Sequence, residues 1–314
     1  MLSRGEHHGW DAVWLTTPQL ELIAPLDIGP RIVSLRRAGG RNVLAELEAE
    51  RGGRGELEFC LRGGHRLWHA PEHPVRTYQP DNRPVALAEL GTGRGFELCQ
   101  EVEAATGLRK ALRVELVDEC SLRLTHRLAN LGHAAVECAA WALTMLRVGG
   151  RSIVPLPPRQ THAENLLPRF SLVQWAYTDL SLPAWRFQPS FLAFDTREVT
   201  GPQKLGLTDY AGWSAYWIEG DLFVKQAQVC RGAAYPDGGC PFETFAAEEF
   251  LELETLGPLQ TLAPREDLVH VETWGLLADL PEPVDEATYR AQILPAVESW
   301  MDAIADGRGA RAQS

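Results

Sequence analysis

Ala234-Tyr-Pro-Asp-Gly-Gly-Cys-Pro-Phe-Glu-Thr-Phe-Ala-Ala-Glu-Glu-Phe-Leu-Glu-Leu-Glu-Thr-Leu-Gly-Pro258 closes the third quarter of a 314-residue chain. Within it, Phe250-Leu251-Glu252-Leu253-Glu254-Thr255-Leu256 alternates apolar and polar residues, the period of a β-strand. Glu252 and Glu254 therefore share one face of the strand, and Leu251 and Leu253 the other. A face carrying two carboxylates lies either in water or in a polar cleft. Carboxylates are rarely buried unless paired, so the plain alternative is the solvated side of an antiparallel sheet.

Working outward, strands dominate. Ala12–Thr16 and Leu20–Ala24 flank the turn Thr17-Pro18-Gln19 and read as an opening hairpin. Arg31–Arg36, Val85–Leu90, Gly95–Cys99, Lys110–Leu116, Ser121–Leu128 and Ala135–Leu143 continue as short strands punctuated by Gly, Asn and Asp. Almost no helical periodicity interrupts them. A large, mostly β, antiparallel sandwich is the expected fold class, spanning residues 1–283. Two stretches depart from it. Pro155–Pro183 is rich in proline and aromatics without a period and reads as a long crossing loop. Tyr289, Ile293, Val297, Trp300, Met301 and Ile304 fall at helical spacing behind Asp285, so 284–306 is expected to form a C-terminal helical segment capped by Asp285, interrupted or restarted at Pro295. Residues 307–314 are expected to fray.

Composition narrows the partners. A chain that is 45% hydrophobic and 23% charged has ample length for a sizeable core. Its net charge of -12 and the lack of a basic stripe argue against nucleic acid, whose phosphates are bound by clustered Lys and Arg. No apolar run approaches the ~20 residues that span a bilayer, and Met1-Leu-Ser-Arg-Gly-Glu-His-His8 has no apolar signal core. A cytoplasmic protein without a membrane partner is expected; the oligomeric state is left open.

Several motifs invite chemistry and fail on context. Cys60, Cys99, Cys120, Cys138, Cys230 and Cys240 contain no Cys-x-x-Cys pair and read as small core residues. His65, His69 and His73 recur every four residues, yet Gly63-Gly64, Pro71 and Pro74 break the helix that a metal site of this spacing needs. No metal and no cofactor are expected. Gly91-Thr-Gly-Arg-Gly95 is followed by more strand instead of a helix, so it reads as a hairpin turn and not a phosphate loop. Neither a Gly-x-Ser-x-Gly elbow nor a nucleotide P-loop occurs.

Gly29-Pro30-Arg31-Ile32-Val33-Ser34-Leu35, Gly63-Gly64-His65-Arg66-Leu67-Trp68-His69-Ala70-Pro71-Glu72, and Phe250–Pro258 followed by Leu262-Ala263-Pro264-Arg265-Glu266 together resemble the galactose mutarotase-like superfamily, which includes aldose 1-epimerases. The likeness is nearest to a poorly characterised bacterial branch and covers roughly residues 10 to 280. It implies an antiparallel β-supersandwich with a short C-terminal helix and a sugar-sized cleft on a concave face. The implied partner is a small sugar or sugar derivative. By the same resemblance, Glu254 matches the base that takes the anomeric hydroxyl proton, and Arg66 the arginine that grips the sugar. The strand that should carry the general-acid histidine instead reads Trp141-Ala-Leu-Thr-Met145.

Ring opening of an aldose needs both a base and an acid within hydrogen-bond reach. His69 or His65, beside Arg66, is the expected substitute acid, since imidazole titrates near neutrality. Sugars present apolar faces to aromatic rings, and Trp68, Trp213, Trp217 and Trp274 stand among polar neighbours; Trp141 and Trp300 sit in apolar runs and read as core. Lys225, a charge within an apolar strand, either faces the Glu254 cleft or is an ordinary surface lysine. Asp237 and Glu243 become ligand contacts if the Tyr235–Gly239 turn abuts the cleft. The expected function is carbohydrate recognition with sugar mutarotation or epimerisation by Glu254. The alternatives are a non-catalytic sugar-binding or regulatory protein on the same fold and, less favoured for lack of a large helical partner, an accessory domain of a polysaccharide lyase or hydrolase.

Overall fold

The computed structural model describes residues 1–91 and 93–312, with side chains up to Gly307. Three antiparallel sheets carry the chain. Leu2–His7, Trp10–Thr16, Leu20–Pro25 and Ser34–Arg37 form a four-stranded sheet that includes the expected opening hairpin. A ten-stranded sheet runs from Trp185–Phe187 and Phe191–Asp195 through Arg151–Pro155, Trp213–Ile218, Asp221–Ala227, Asp267–Leu277, Ser121–Asn130 and Leu108–Leu116 to the hairpin Gly95–Cys99 and Ala86–Glu89. An eight-stranded sheet is ordered Leu172–Gln174, Gln203–Leu207, Phe242–Ala247, Phe250–Leu256, Val136–Arg147, His65–Ala70 and Arg31–Ile32, with Gln260–Leu262 paired to the end of Val136–Arg147. The expected fold class is what the structure shows: mostly β, antiparallel, with a helix at the C-terminal end.

The two large sheets pack face to face around the main core, in which Leu124, Phe223 and Trp274 of the ten-stranded sheet join Leu146, Leu251 and Leu253 of the eight-stranded one. Period two does the sorting. Leu251 and Leu253 point into this core, and Glu252 and Glu254 lie on the opposite face of the sheet, the one the resemblance expects to be concave, where both are buried. The same alternation sets His65, Leu67 and His69 toward the core side and Arg66 and Trp68 toward the concave side.

Gly63 and Gly64, ahead of that strand, have φ of +84° and +73°. A Cβ would lie 2.2 Å from the Ala45 carbonyl oxygen at Gly63 and 2.1 Å from that of Ile32 at Gly64. Only glycine fits there, which is what delivers Arg66 to its place.

Beyond Leu277 the chain turns helical. Asp285 accepts from the Thr288 amide at 2.8 Å, the cap the sequence predicts. After Glu286–Thr288 the chain widens into a π-turn over Tyr289–Ile293, and a fresh α-helix, Leu294–Ala312, starts beside Pro295, whose missing N–H the π-turn accommodates. Tyr289, Ile293, Val297, Trp300 and Ile304 cover Ile153, Ala215, Leu222 and Val224 on the outer side of the ten-stranded sheet. Trp300 lies so close to the backbone that a Cβ at Gly275 would fall 2.6 Å from its ring, and its indole N–H donates to Ser121 Oγ at 2.9 Å. Of the tail expected to fray, the side chains of 308–312 and residues 313 and 314 lie outside the described residues. Among the described residues, no helix is long and apolar enough to cross a membrane.

Candidate functional site

Five adjacent strands of the eight-stranded sheet set a row of polar and aromatic side chains on the concave face. The register fixes their neighbours: Glu254 stands opposite Glu243 on one side and Leu143 on the other, and Leu143 in turn stands opposite Arg66. Lys204, from the next strand, reaches both carboxylates, with Nζ 2.7 Å from Glu243 Oε2 and 3.0 Å from Glu254 Oε2. The indole N–H of Trp141 donates to the same Glu254 oxygen at 2.7 Å. Glu254 Oε1 is buried and takes no hydrogen bond. The ammonium of Lys204 also sits 4.7 Å from the ring centroids of both Trp141 and Trp175, a cation held between two aromatic faces.

One cation serves two carboxylates here. Burial, with the charges of Glu254 and Asp237, pushes the Glu243 carboxyl well above the ordinary range despite Lys204. The two carboxylates in turn hold the Lys204 ammonium firmly charged against burial. Both Lys204 and the indole N–H reach Glu254, while burial favours the protonated form of Glu243.

A second pair lies beside the first. Arg66 donates from Nη2 to Glu252 Oε1 at 3.1 Å and stacks over the Trp68 ring at 4.4 Å. Burial raises the Glu252 carboxyl to about 7, Arg66 opposing and Glu254 assisting. Trp68 packs edge-on against Trp141 at 5.3 Å and Tyr78 at 5.0 Å, and Tyr78 also meets Phe59 at 5.6 Å. Phe59 and Tyr78, from loops, thus pack against Trp68, and Trp175 lies against the Lys204 ammonium.

Of the residues singled out in the sequence, Glu254, Glu243, Arg66 and Trp68 meet on this face. Asp237 lies in the turn beside it, at φ +50°, close enough for its charge to act on Glu243. His65, His69 and Lys225 do not meet there; they point the other way, between the sheets.

Lys225 donates to the Ala142 and Leu253 carbonyls and to Thr144 Oγ1, each at 2.9 Å, and pairs with Glu272 at 2.9 Å. It neither faces the cleft nor lies on the surface. His65 joins Thr144 Oγ1 at 2.9 Å and His126 at 2.7 Å inside the same network. His69 is buried with both ring nitrogens unpartnered, and burial together with Lys110 lowers its pKa to about 4. An imidazole on that side of the sheet cannot protonate a sugar in the cleft.

The tryptophans divide among several places. Trp141, read as core, is buried in a cluster with Trp68, Leu143 and Leu256, and its indole N–H also reaches Glu254. Trp213 lies under the C-terminal helix, and Trp274 is in the inter-sheet core, where its N–H donates to Glu272 at 2.8 Å. Lys204, Glu252, Trp141 and Trp175 are the cleft residues that sequence reasoning did not assign.

Two groups of His and Glu converge at metal-ligand spacing among the described residues. In His65, His126 and Glu272, the oxygens of Glu272 are taken by Lys225, Thr255 and Trp274, and the ammonium stands where a cation would. In His7, His8 and Glu46, Arg51 at 2.7 Å and Asn42 at 2.8 Å already hold the carboxylate.

No family model matches the chain, and no curated protein matches it. Solved structures do. A galactose mutarotase-like protein from Lactobacillus casei superposes with a TM-score of 0.59 at 9% identity, covering 85% of this chain and 100% of that one. A galactose mutarotase related enzyme from Lactobacillus acidophilus gives 0.55 at 8% identity, with 86% and 99% covered. A TPR-domain containing protein from Parabacteroides distasonis gives 0.60 at 15% identity over 87% of this chain; the chain spans about half of that protein, 48%. At these identities the likeness is one of fold, and the fold is galactose mutarotase-like.

Proposed function

We propose that the chain binds an uncharged aldose on the concave face of the eight-stranded sheet and interconverts its anomers, with Glu254 as the base. The observation that carries this reading is the state of Glu254. One oxygen is fixed by Lys204 and the Trp141 indole, and the other is buried, unpartnered and set among aromatic rings. A carboxylate so positioned is ready to accept a hydroxyl proton, and desolvation makes the transfer steeper. Trp68, Trp141 and Trp175 offer the apolar faces on which a pyranose stacks.

The engagement of both cations supports an uncharged sugar. Arg66 donates to Glu252 and Lys204 to Glu254, so a phosphate or carboxylate on the ligand would have to displace an existing hydrogen-bond partner. A second reading, a sugar-binding protein without turnover, is favoured by one observation: apolar Leu143 stands between Arg66 and Glu254 in the register, at the middle of the cleft floor. The two readings separate in one experiment. An enzyme accelerates exchange between the α and β anomers of a neutral aldose, and Glu254→Gln abolishes that acceleration while leaving binding largely intact. A binder shows saturable binding and no acceleration in the wild type.

A further inference from the structure

Anomer exchange requires a proton donor for the ring oxygen as well as a base, and His65, His69, His126 and His270 all lie between the sheets, away from Glu254. We infer that Glu252 is that donor, so that this site works with a carboxyl pair in which Glu254 is the base and Glu252 the acid. The inference rests on the proposed function and deepens it.

Geometry comes first. Glu252 and Glu254 sit two residues apart on one face of one strand, which separates their anchor points by about 7 Å. The anomeric hydroxyl and the ring oxygen of a pyranose are bonded to the same carbon. Two hydrogen bonds of about 2.8 Å therefore reach both oxygens from carboxyls at this separation. Glu252 Oε1 is held by Arg66, and Oε2 takes no hydrogen bond from any described residue, leaving one oriented oxygen for the ligand. Arg66 is itself anchored by its stacking on Trp68 and its contact with Met145 Sδ at 3.0 Å.

Electrostatics agrees. The groups that act on Glu252 are Arg66 from the His65–Ala70 strand, Lys204 from the Gln203–Leu207 strand and Glu254 on its own strand, while the residues directly opposite it, Met145 and Phe245, carry no charge. Burial and the neighbouring Glu254 charge outweigh the two cations and raise the Glu252 carboxyl to about 7. Burial raises the Glu243 carboxyl too, but Glu243 stands opposite Glu254 on the Lys204 side, and Lys204 covers one of its oxygens.

The step balances. The Glu254 carboxylate takes the proton of the anomeric hydroxyl, the C1–O5 bond breaks with its electron pair going to O5, and the Glu252 carboxyl gives its proton to O5. The open-chain aldehyde rotates about C1–C2, and closure onto the other face runs the two transfers in reverse. No proton is gained or lost over the cycle.

The test compares wild type, Glu252→Gln and Glu252→Asp by polarimetry of a neutral aldose across pH, with binding followed by calorimetry. The amide oxygen introduced by Glu252→Gln can still accept from Arg66, so a preserved melting temperature is expected. The inference predicts a kcat loss of about 10²–10⁴-fold in Glu252→Gln at unchanged affinity, partial recovery in Glu252→Asp, and a wild-type rate that falls as pH rises through about 7. Wild-type activity retained within a few-fold in Glu252→Gln, with the same alkaline fall, assigns the acid elsewhere and overturns the inference while leaving the proposed function standing. Binding without any wild-type exchange overturns both. A Glu252→Gln chain that melts early is replaced by the wild-type pH profile together with Glu252→Asp, and a flat profile there also contradicts the inference.

Discussion

Lysine is scarce in this chain, and its scarcity is informative. Only Lys110, Lys204 and Lys225 occur in 314 residues, and all three are buried against glutamates: Glu103, the Glu243 and Glu254 pair, and Glu272. Arginine supplies the positive surface, so each lysine marks an interior ion pair, a signal present in the composition but invisible without burial. Lys204 is the one that organises the cleft. Lys204→Met keeps the stem between Trp141 and Trp175 but leaves two buried carboxyls without their cation. Removing one partner of a buried pair costs about 3–5 kcal/mol. Because the second carboxyl must then take up a proton, its folded pKa rises; the stability that this proton preserves is present at low pH and lost as pH rises. Urea denaturation should therefore show a larger loss at about pH 8 than at about pH 5. A loss under about 1 kcal/mol at both would show that Lys204 does not hold the pair.

At the scale of elements, the strand reading located the ladders around the opening hairpin, Gly95–Leu128 and Phe250–Leu256, but not Leu2–His7, Arg151–Pro155, Phe191–Asp195, Gln203–Leu207 or Trp213–Ile218. Predicted Gly95–Cys99 is a strand with those bounds, and predicted Lys110–Leu116 and Ser121–Leu128 lie within strands two or so residues longer. The misplacement of His65 and His69 follows from not applying period two to His65–Ala70. Arg66 and Trp68 cannot face the cleft unless the flanking histidines face away. Lys225 failed for a different reason: its side chain points between two sheets whose pairing is a long-range fact, and no local pattern tells an interior face from a cleft. The C-terminal helix was legible because its apolar residues keep helical spacing, and its contribution is measurable. Trp300→Ala removes a ring packed against Gly275 and the Ser121 hydrogen bond, for an expected loss of about 3–5 kcal/mol by chemical denaturation. A loss near zero would mean the helix is not part of the cooperative fold.

For the whole molecule, the buried polar layer between the sheets predicts how stability follows pH. Burial lowers the pKa of His65, His126, His69 and His270, the last two to about 4 and about 3. Each folded value is depressed, so each histidine contributes stability that is full above the unfolded value of about 6.5 and is lost as pH falls toward the folded value. Glu252 and Glu243 run the opposite way. Their raised values contribute stability that is full below about 4.3 and lost as pH rises through about 7 for Glu252. Four imidazoles outnumber two carboxyls, so the melting temperature should climb from about pH 4 to about pH 6.5, a slope that a flat or falling curve would contradict.

The sandwich itself was legible from strand periodicity and from the resemblance carried by the Gly-Gly-His-Arg-Leu-Trp and Glu-Leu-Glu-Thr-Leu-Gly-Pro runs. Which strands stack, and so which loop aromatics rim the cleft, was not, because Tyr78, Trp175 and Phe59 come together only through tertiary packing.

A sugar site built on Glu254 is tested by NMR exchange spectroscopy between the α and β anomeric protons of a neutral aldose, on wild type and Glu254→Gln, with the sugar-induced melting shift recorded on the same samples. A Glu254 base predicts exchange cross-peaks that grow with wild-type concentration and vanish in Glu254→Gln, while the melting shift persists in both. An exchange rate untouched by Glu254→Gln would place the chemistry somewhere other than Glu254.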